Sequence, residues 1–224
     1  MSKEYIIGGI DTDCGKTYVT GILAGNLLKK EKKLITSKLV QTGCKGISDD
    51  IIEHRRLMGI ELLSEDNSGL TCPYVFSYPA SPHLAAEIDN KTIDLNVIRD
   101  SAKQLLKNYD LVLSEAAGGL MVPITKKYLT VDYIVDNQLP LILVTSSKLG
   151  SINHTLLSLE MCKTYNIDLK LVIYNKLPGS DETIANSTFD FLKTYISERF
   201  SEVQLLHIDE LTKNQTVRIK CFRN

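Results

Sequence analysis

The stretch "GGIDTDCGKT", residues 8–17, follows the apolar run Tyr5-Ile6-Ile7 and leads into a long helical pattern. It ends in Gly15-Lys16-Thr17, the ending of a loop that wraps phosphate oxygens with backbone N–H groups at a helix N-terminus. Gly9 and Gly15 stand where such a loop needs close approach or positive φ. Lys16 is placed to reach the β and γ phosphates of a nucleotide, and the Thr17 hydroxyl to ligate Mg2+. Five residues rather than four separate Gly9 from Gly15, however. Among them Asp11, Thr12 and Asp13 put acceptors and a hydroxyl beside the phosphate position, where acidic groups are repelled unless a metal or a cationic substrate screens them. The loop therefore points to a second, positively charged ligand. Cys14 reads as a small filler in the turn, without a redox role. The competing reading is an ordinary strand-to-helix turn with an exposed lysine.

Working outward, apolar runs of strand length alternate with amphipathic stretches. The runs are 5–9, 34–40, 109–115, 139–147, 169–176 and 203–208; between them lie helical patterns at 17–30, 95–107, 154–165 and 183–200. Near-continuous Val, Ile and Leu content predicts strands covered on both faces, and the alternation predicts an open, mostly parallel α/β sheet with helices on both faces. The chain reads as a single domain over 1–224, with the tail after about residue 213 expected to be loosely held. Nearly every predicted strand ends near a polar residue: the phosphate loop, Lys38, Glu115, Ser146-Ser147-Lys148 and Asn175. Ligands of open parallel sheets bind at the carboxyl ends of the strands, so one site lined by all five is expected.

Composition narrows the function classes. A net charge of -1 gives no general attraction for nucleic acid or anionic membrane, so any anion site must be local. The longest apolar runs fall far below the roughly 20 residues that span a bilayer, and no leader pattern is read at the N-terminus. Five cysteines without a C-x-x-C pair suit a reducing cytoplasm, and four scattered histidines show no metal-ligand spacing. The cationic cluster "KKEKK", 29–33, reads as a solvated helix end.

Two further constellations carry chemistry. "EAAGG", 115–119, sets a carboxylate on a buried strand before small residues that admit a ligand or another backbone. Glu115 should meet a metal or a cation there, a structural lysine being the alternative. "SDD", 48–50, follows the second strand, where Asp49 or Asp50 could join a hard-cation shell, or the triplet could simply cap a helix beginning near Ile51.

With these pieces in order the chain resembles the dethiobiotin synthetases. The resemblance rests on "GIDTDCGKT" (9–17), "SKLVQTG" (37–43), "SDD" (48–50), "PYVFSYPASPHLAA" (73–86), "SEAAGGLMVPI" (114–124), "VTSSKLGSINHTLL" (144–157) and "YNK" (174–176), and it makes the lengthened loop normal. It implies that CO2 carboxylates 7,8-diaminopelargonic acid to a carbamate, which attacks the γ phosphate of ATP before the second amine closes a cyclic urea. It implies catalytic roles for Lys16 and Lys38, and Mg2+ held by Thr17, Asp49 and Glu115. ATP would be bound by Asp13, Cys14, Gly15, Lys16, Thr17, Tyr18, Glu115, Gly118 and the adenine-reading Asn175. Substrate would meet Thr12, Lys38 and Thr42. The segment Gly150, Ser151 and Asn153 would hold its far carboxylate across a homodimer interface, Asn153 being equally readable as a helix cap. Ala116 replaces a usual glycine and is expected to add a methyl near the phosphates; Leu39 replaces a common proline; the stretch after Leu206 matches poorly. The rival readings are a related amidoligase, a partition-type ATPase, which residues 9–14 disfavour by lacking a second lysine, or a nucleotide-binding protein without turnover.

Overall fold

Each apolar run becomes a strand in the computed structural model, which describes residues 3–29, 33–212 and 219–222. The strands are β1 (Lys3–Gly9), β2 (Leu34–Lys38), β3 (Leu111–Gly119), β4 (Leu141–Ser146), β5 (Leu169–Asn175) and β6 (Gln204–His207). They form one sheet in the order β6-β5-β4-β1-β3-β2, with every pairing parallel. Burial explains the unbroken apolar runs. Tyr5 and Ile7 of β1 join one core layer and Ile6 the other, while in β4 Ile142 and Val144 oppose Leu141 and Leu143. A strand sandwiched this way has no wet face and so no alternation to show in sequence.

Five longer helices cover the sheet: α1 (Lys16–Leu28), α2 (Asp49–Met58), α3 (Leu95–Asn108), α4 (Ser151–Thr164) and α5 (Glu182–Arg199). Val19 and Leu23 of α1 pack into one layer, whereas Ile98, Leu159 and Leu192 from α3, α4 and α5 pack into the other. Among the described residues no helix is long and apolar enough to cross a membrane.

Two boundaries differ from the sequence reading. Ser48 does cap α2, its hydroxyl accepting from the Ile51 N–H, but the helix begins at Asp49. The cap of α4 is Gly150, at φ 93, so Asn153 lies inside the first turn and is not the cap. Short helices at Ser64–Asn67, Pro82–Ile88 and Thr130–Asp136 were not foreseen, because elements of seven residues or fewer barely develop a helical period. Of the cationic cluster 29–33, residues 30–32 lie outside the described residues, as do 213–218 of the tail. Residues 219–222 pack back on β1, where the Tyr5 hydroxyl donates to the Cys221 carbonyl at 2.7 Å and the Phe222 ring meets the Tyr5 ring edge-on.

The chain leaves β1 for β2, returns to β3 beside β1, then crosses to β4 on the other side of β1. This reversal opens a crevice at the carboxyl end of β1. The phosphate-type loop lies there, at the start of α1.

Candidate active site

At this crevice a cleft of about 510 Å3 is lined by loop residues Thr12, Asp13, Gly15, Lys16 and Thr17, by Lys38 to Thr42 except Leu39, and by Asp50, Glu115, Ala117 and Gly118. A cleft of similar size beside Arg99 and Tyr128 has no buried ion pair among its described lining residues.

Backbone conformation shapes the loop. Gly15 has φ 88, and a Cβ there would lie 2.0 Å from the Asn175 amide nitrogen, so both conformation and space require glycine. That amide donates to the Cys14 carbonyl at 3.0 Å, tying the end of β5 to the loop. Asn175 thus lies beneath the loop, 3% exposed and outside the cleft lining. The Lys16 ammonium donates across the loop to the Asp11 carbonyl at 2.9 Å. Cys14 is buried, as a filler should be. Gly118, at φ 63, lets the chain turn between Val122 and Thr12.

The second half of the cleft is a buried charge cluster built by sheet register. Lys38 and Glu115 are paired positions of β2 and β3, so their side chains share a face. Lys38 Nζ lies 2.7 Å from Glu115 Oε1 and 2.5 Å from Asp50 Oδ2. The Thr17 hydroxyl donates to Glu115 Oε1 at 3.1 Å, and His54 Nε2 lies 2.7 Å from Oε2. Burial opposes the charge on Glu115, yet the Lys38 ammonium and the His54 bond overcome it and hold the carboxyl well below its ordinary range. Burial likewise works against the Lys38 ammonium, and the Glu115 and Asp50 carboxylates outweigh it, pushing its pKa up. Lys38 is therefore a permanent cation, suited to holding anionic oxygens and unsuited to accepting a proton.

The placement of the expected residues is uneven. Thr12, Asp13, Gly15, Lys16, Thr17, Lys38, Thr42, Glu115 and Gly118 line one cleft. Asp49 does not; it is exposed at the start of α2, and Asp50 takes the place beside Lys38. One helical step of about 100° separates the two directions. Tyr18 is 39% exposed and Ala116 is 1% exposed; the Ala116 methyl packs in the core rather than toward the phosphates, and Ala117 faces the cleft. Leu39 uses its N–H to bond the Glu115 carbonyl at 3.0 Å, a contact proline cannot make. Gly150, Ser151 and Asn153 lie outside the cleft, at the start of α4. That helix borders a neighbouring groove of about 570 Å3 lined by Asp11, Met121, His154 and Leu157. His54 went unrecognised, as did Gln41, whose side-chain oxygen accepts from the Ser48 hydroxyl at 2.6 Å and fixes the start of α2. The signal for His54 was its four-residue spacing from Asp50, which sets both on one helical face.

Comparison with known proteins identifies the family and the fold. A family model described as an AAA domain matches residues 3–218. An ATP-dependent dethiobiotin synthetase of Haemophilus ducreyi is 53% identical over 209 residues, 93% of this chain and 99% of that protein. The chain belongs to the ATP-dependent dethiobiotin synthetase family. Another dethiobiotin synthetase, from Chlorobaculum tepidum, is 52% identical over 182 residues, 81% of this chain and 76% of that protein. Among solved structures a plasmid partition protein from Borrelia burgdorferi superposes with a TM-score of 0.55 at 14% identity, covering 92% of this chain and 89% of that one. At that identity the likeness concerns the fold alone: a P-loop NTPase-like parallel sheet.

Proposed function

We propose that this dethiobiotin synthetase family member uses the 510 Å3 cleft to join CO2 and 7,8-diaminopelargonic acid at the expense of ATP. The observation that carries this is the pair of buried cations, Lys16 and Lys38, lining one cleft from two different strand ends. One amine attacks CO2 and loses a proton, giving a carbamate. A carbamate oxygen attacks the γ phosphorus of ATP, and ADP departs. The second amine then attacks the carbonyl carbon of the mixed anhydride, and phosphate leaves as the cyclic urea closes. Negative charge builds first on the carbamate and then on the transferring phosphoryl group. In this reading Lys38 holds the first and Lys16 the second, as charges held in place by the surrounding structure. Thr42 and Thr12 offer hydroxyls along the same wall, and the Asp13 carboxylate favours a substrate that carries amines.

Mg2+ fits the donors present. Two carboxylates and a hydroxyl, from Asp50, Glu115 and Thr17, line the same cleft and offer hard oxygen ligands. Among the described residues no cluster of three His, Cys, Asp or Glu side chains could hold a metal, so an ion here would need further ligands from phosphates and water. When bound, Mg2+ would offset charge on the β and γ phosphates.

A homodimer is part of the same proposal. Leu157 is 64% exposed and Met121 52%, both on the groove beside α4, and Leu149, just before that helix in sequence, is 83% exposed. A second copy covering them would bring Gly150, Ser151 and Asn153 toward the far carboxylate of the substrate. Cytoplasmic residence is supported by five free cysteines.

The test is ADP release. It should require bicarbonate and the diamine together; release that ignores the diamine would favour a related amidoligase, and ATP binding without release would favour a binding protein.

A further inference from the structure

His54 is the member of the charged cluster that does not reach the cleft. It is fully buried, 0% exposed, and is absent from the lining. Asp50 and His54 are four residues apart on α2 and so share a face. That face meets the carboxyl ends of β2 and β3, Asp50 against Lys38 and His54 against Glu115. The two oxygens of Glu115 are thereby divided. Oε1 belongs to the cleft side, with Thr17 at 3.1 Å and Lys38 at 2.7 Å; Oε2 belongs to His54 at 2.7 Å.

The other ring nitrogen, Nδ1, has no hydrogen-bond partner among the described residues. A carboxylate only accepts, so Nε2 is the donor in its bond to Glu115. Filling space does not explain the choice of residue. An apolar side chain would occupy the position without burying an unsatisfied nitrogen. Nor is His54 needed to fasten α2 to the sheet, because Arg55 already does so through Asp66 and Thr36.

We propose, building on the ligase reading of the same cleft, that His54 is a positioning residue whose Nε2–H bond sets the plane of the Glu115 carboxylate and so presents Oε1 to Thr17 and to a nucleotide-borne divalent ion. Partners that hydrogen-bond a metal-binding carboxylate from behind typically change metal affinity by about 10–100-fold when removed.

The test measures binding rather than turnover, by electron paramagnetic resonance of Mn2+ with the intact protein and the β,γ-imido analogue of ATP. The amide nitrogen of glutamine reaches about as far as imidazole Nε2, whereas that of asparagine reaches only the Nδ1 position. H54Q should keep Mn2+ affinity close to that of the parent, while H54N and H54L should lose about 10–100-fold. Affinity for the analogue in excess chelator should stay constant through the series. Parent-like Mn2+ binding by H54N or H54L overturns the proposal, and so does H54Q falling as low as H54N. Should H54L fail to fold, the two polar variants still decide, since their bulk and polarity are similar and only their reach differs. A parent protein whose analogue binding ignores Mn2+ would overturn the ligase reading itself; normal Mn2+ binding with indifferent variants would remove only the role of His54.

Discussion

Arg55 and His54 are neighbours on α2, both buried, and each leads into a charged cluster of opposite character. The Arg55 cluster is closed. Its guanidinium grips Asp66 with two bonds of 2.8 Å and also bonds the Thr36 hydroxyl at 2.7 Å, while the Thr71 hydroxyl and the Leu63 N–H fill the remaining Asp66 positions at 2.8 Å. The His54 cluster is open. Lys38 is shared between two carboxylates, His54 keeps an unpartnered nitrogen, and the whole group borders the cleft. Saturated valences fix one conformation, whereas unsaturated ones leave capacity for a ligand. Burial and charge alone do not distinguish the two; hydrogen-bond completeness does.

Substitutions at the closed cluster should act on stability. D66N leaves the guanidinium buried without its counter-charge and is expected to cost about 3–5 kcal/mol in denaturant unfolding, with turnover per folded molecule retained. The paired replacement R55M/D66L removes both charges and should cost much less than D66N; equal losses would mean the site depends on packing rather than on pairing.

At the open cluster the expected effects fall on chemistry. K38A should lower turnover by about 10²–10³-fold while nucleotide still binds, and K16A should lose nucleotide affinity as well. Equal loss of affinity in both variants would end that division of labour. E115Q should raise the Mg2+ concentration for half-maximal activity by at least about tenfold, and an unaltered titration would count against metal ligation.

Acid should weaken both clusters, through carboxylates whose folded pKa lies below its unfolded value. Burial of Asp66 opposes its charge, but the Arg55 bonds prevail and lower its pKa from 3.8; the direction for Glu115 is the same. Such groups contribute their full stability above the unfolded pKa of about 4 and lose it as pH falls further, so unfolding free energy should be flat near neutrality and drop below about pH 4. In D66N that acid loss should shrink. L39P removes one backbone bond to Glu115 and truncates a buried core side chain, and should cost about 2–5 kcal/mol, read in denaturant unfolding.

The sheet was legible because parallel strands buried on both faces must be apolar throughout, and each of the six runs became a strand. The loop was legible because Gly15 leaves no room for a side chain. What escaped was set by direction rather than by residue type. "SDD" offered two carboxylates, and only the phase of α2 decides that Asp50 rather than Asp49 meets Lys38. His54, between Glu53 and Arg55 in a charged stretch, looks like a surface residue until that phase turns it inward. The Lys38–Glu115 pair depends on strand register across more than seventy residues, which no local pattern encodes.

The most direct measurement follows radiolabelled bicarbonate into acid-stable product with ATP and the diamine, for the parent protein and for K38A. Carbamates decompose in acid and cyclic ureas persist. Label retained by the parent and nearly absent from K38A is the predicted result; retention at parental levels in K38A, or none in the parent, would contradict the role assigned to the open cluster.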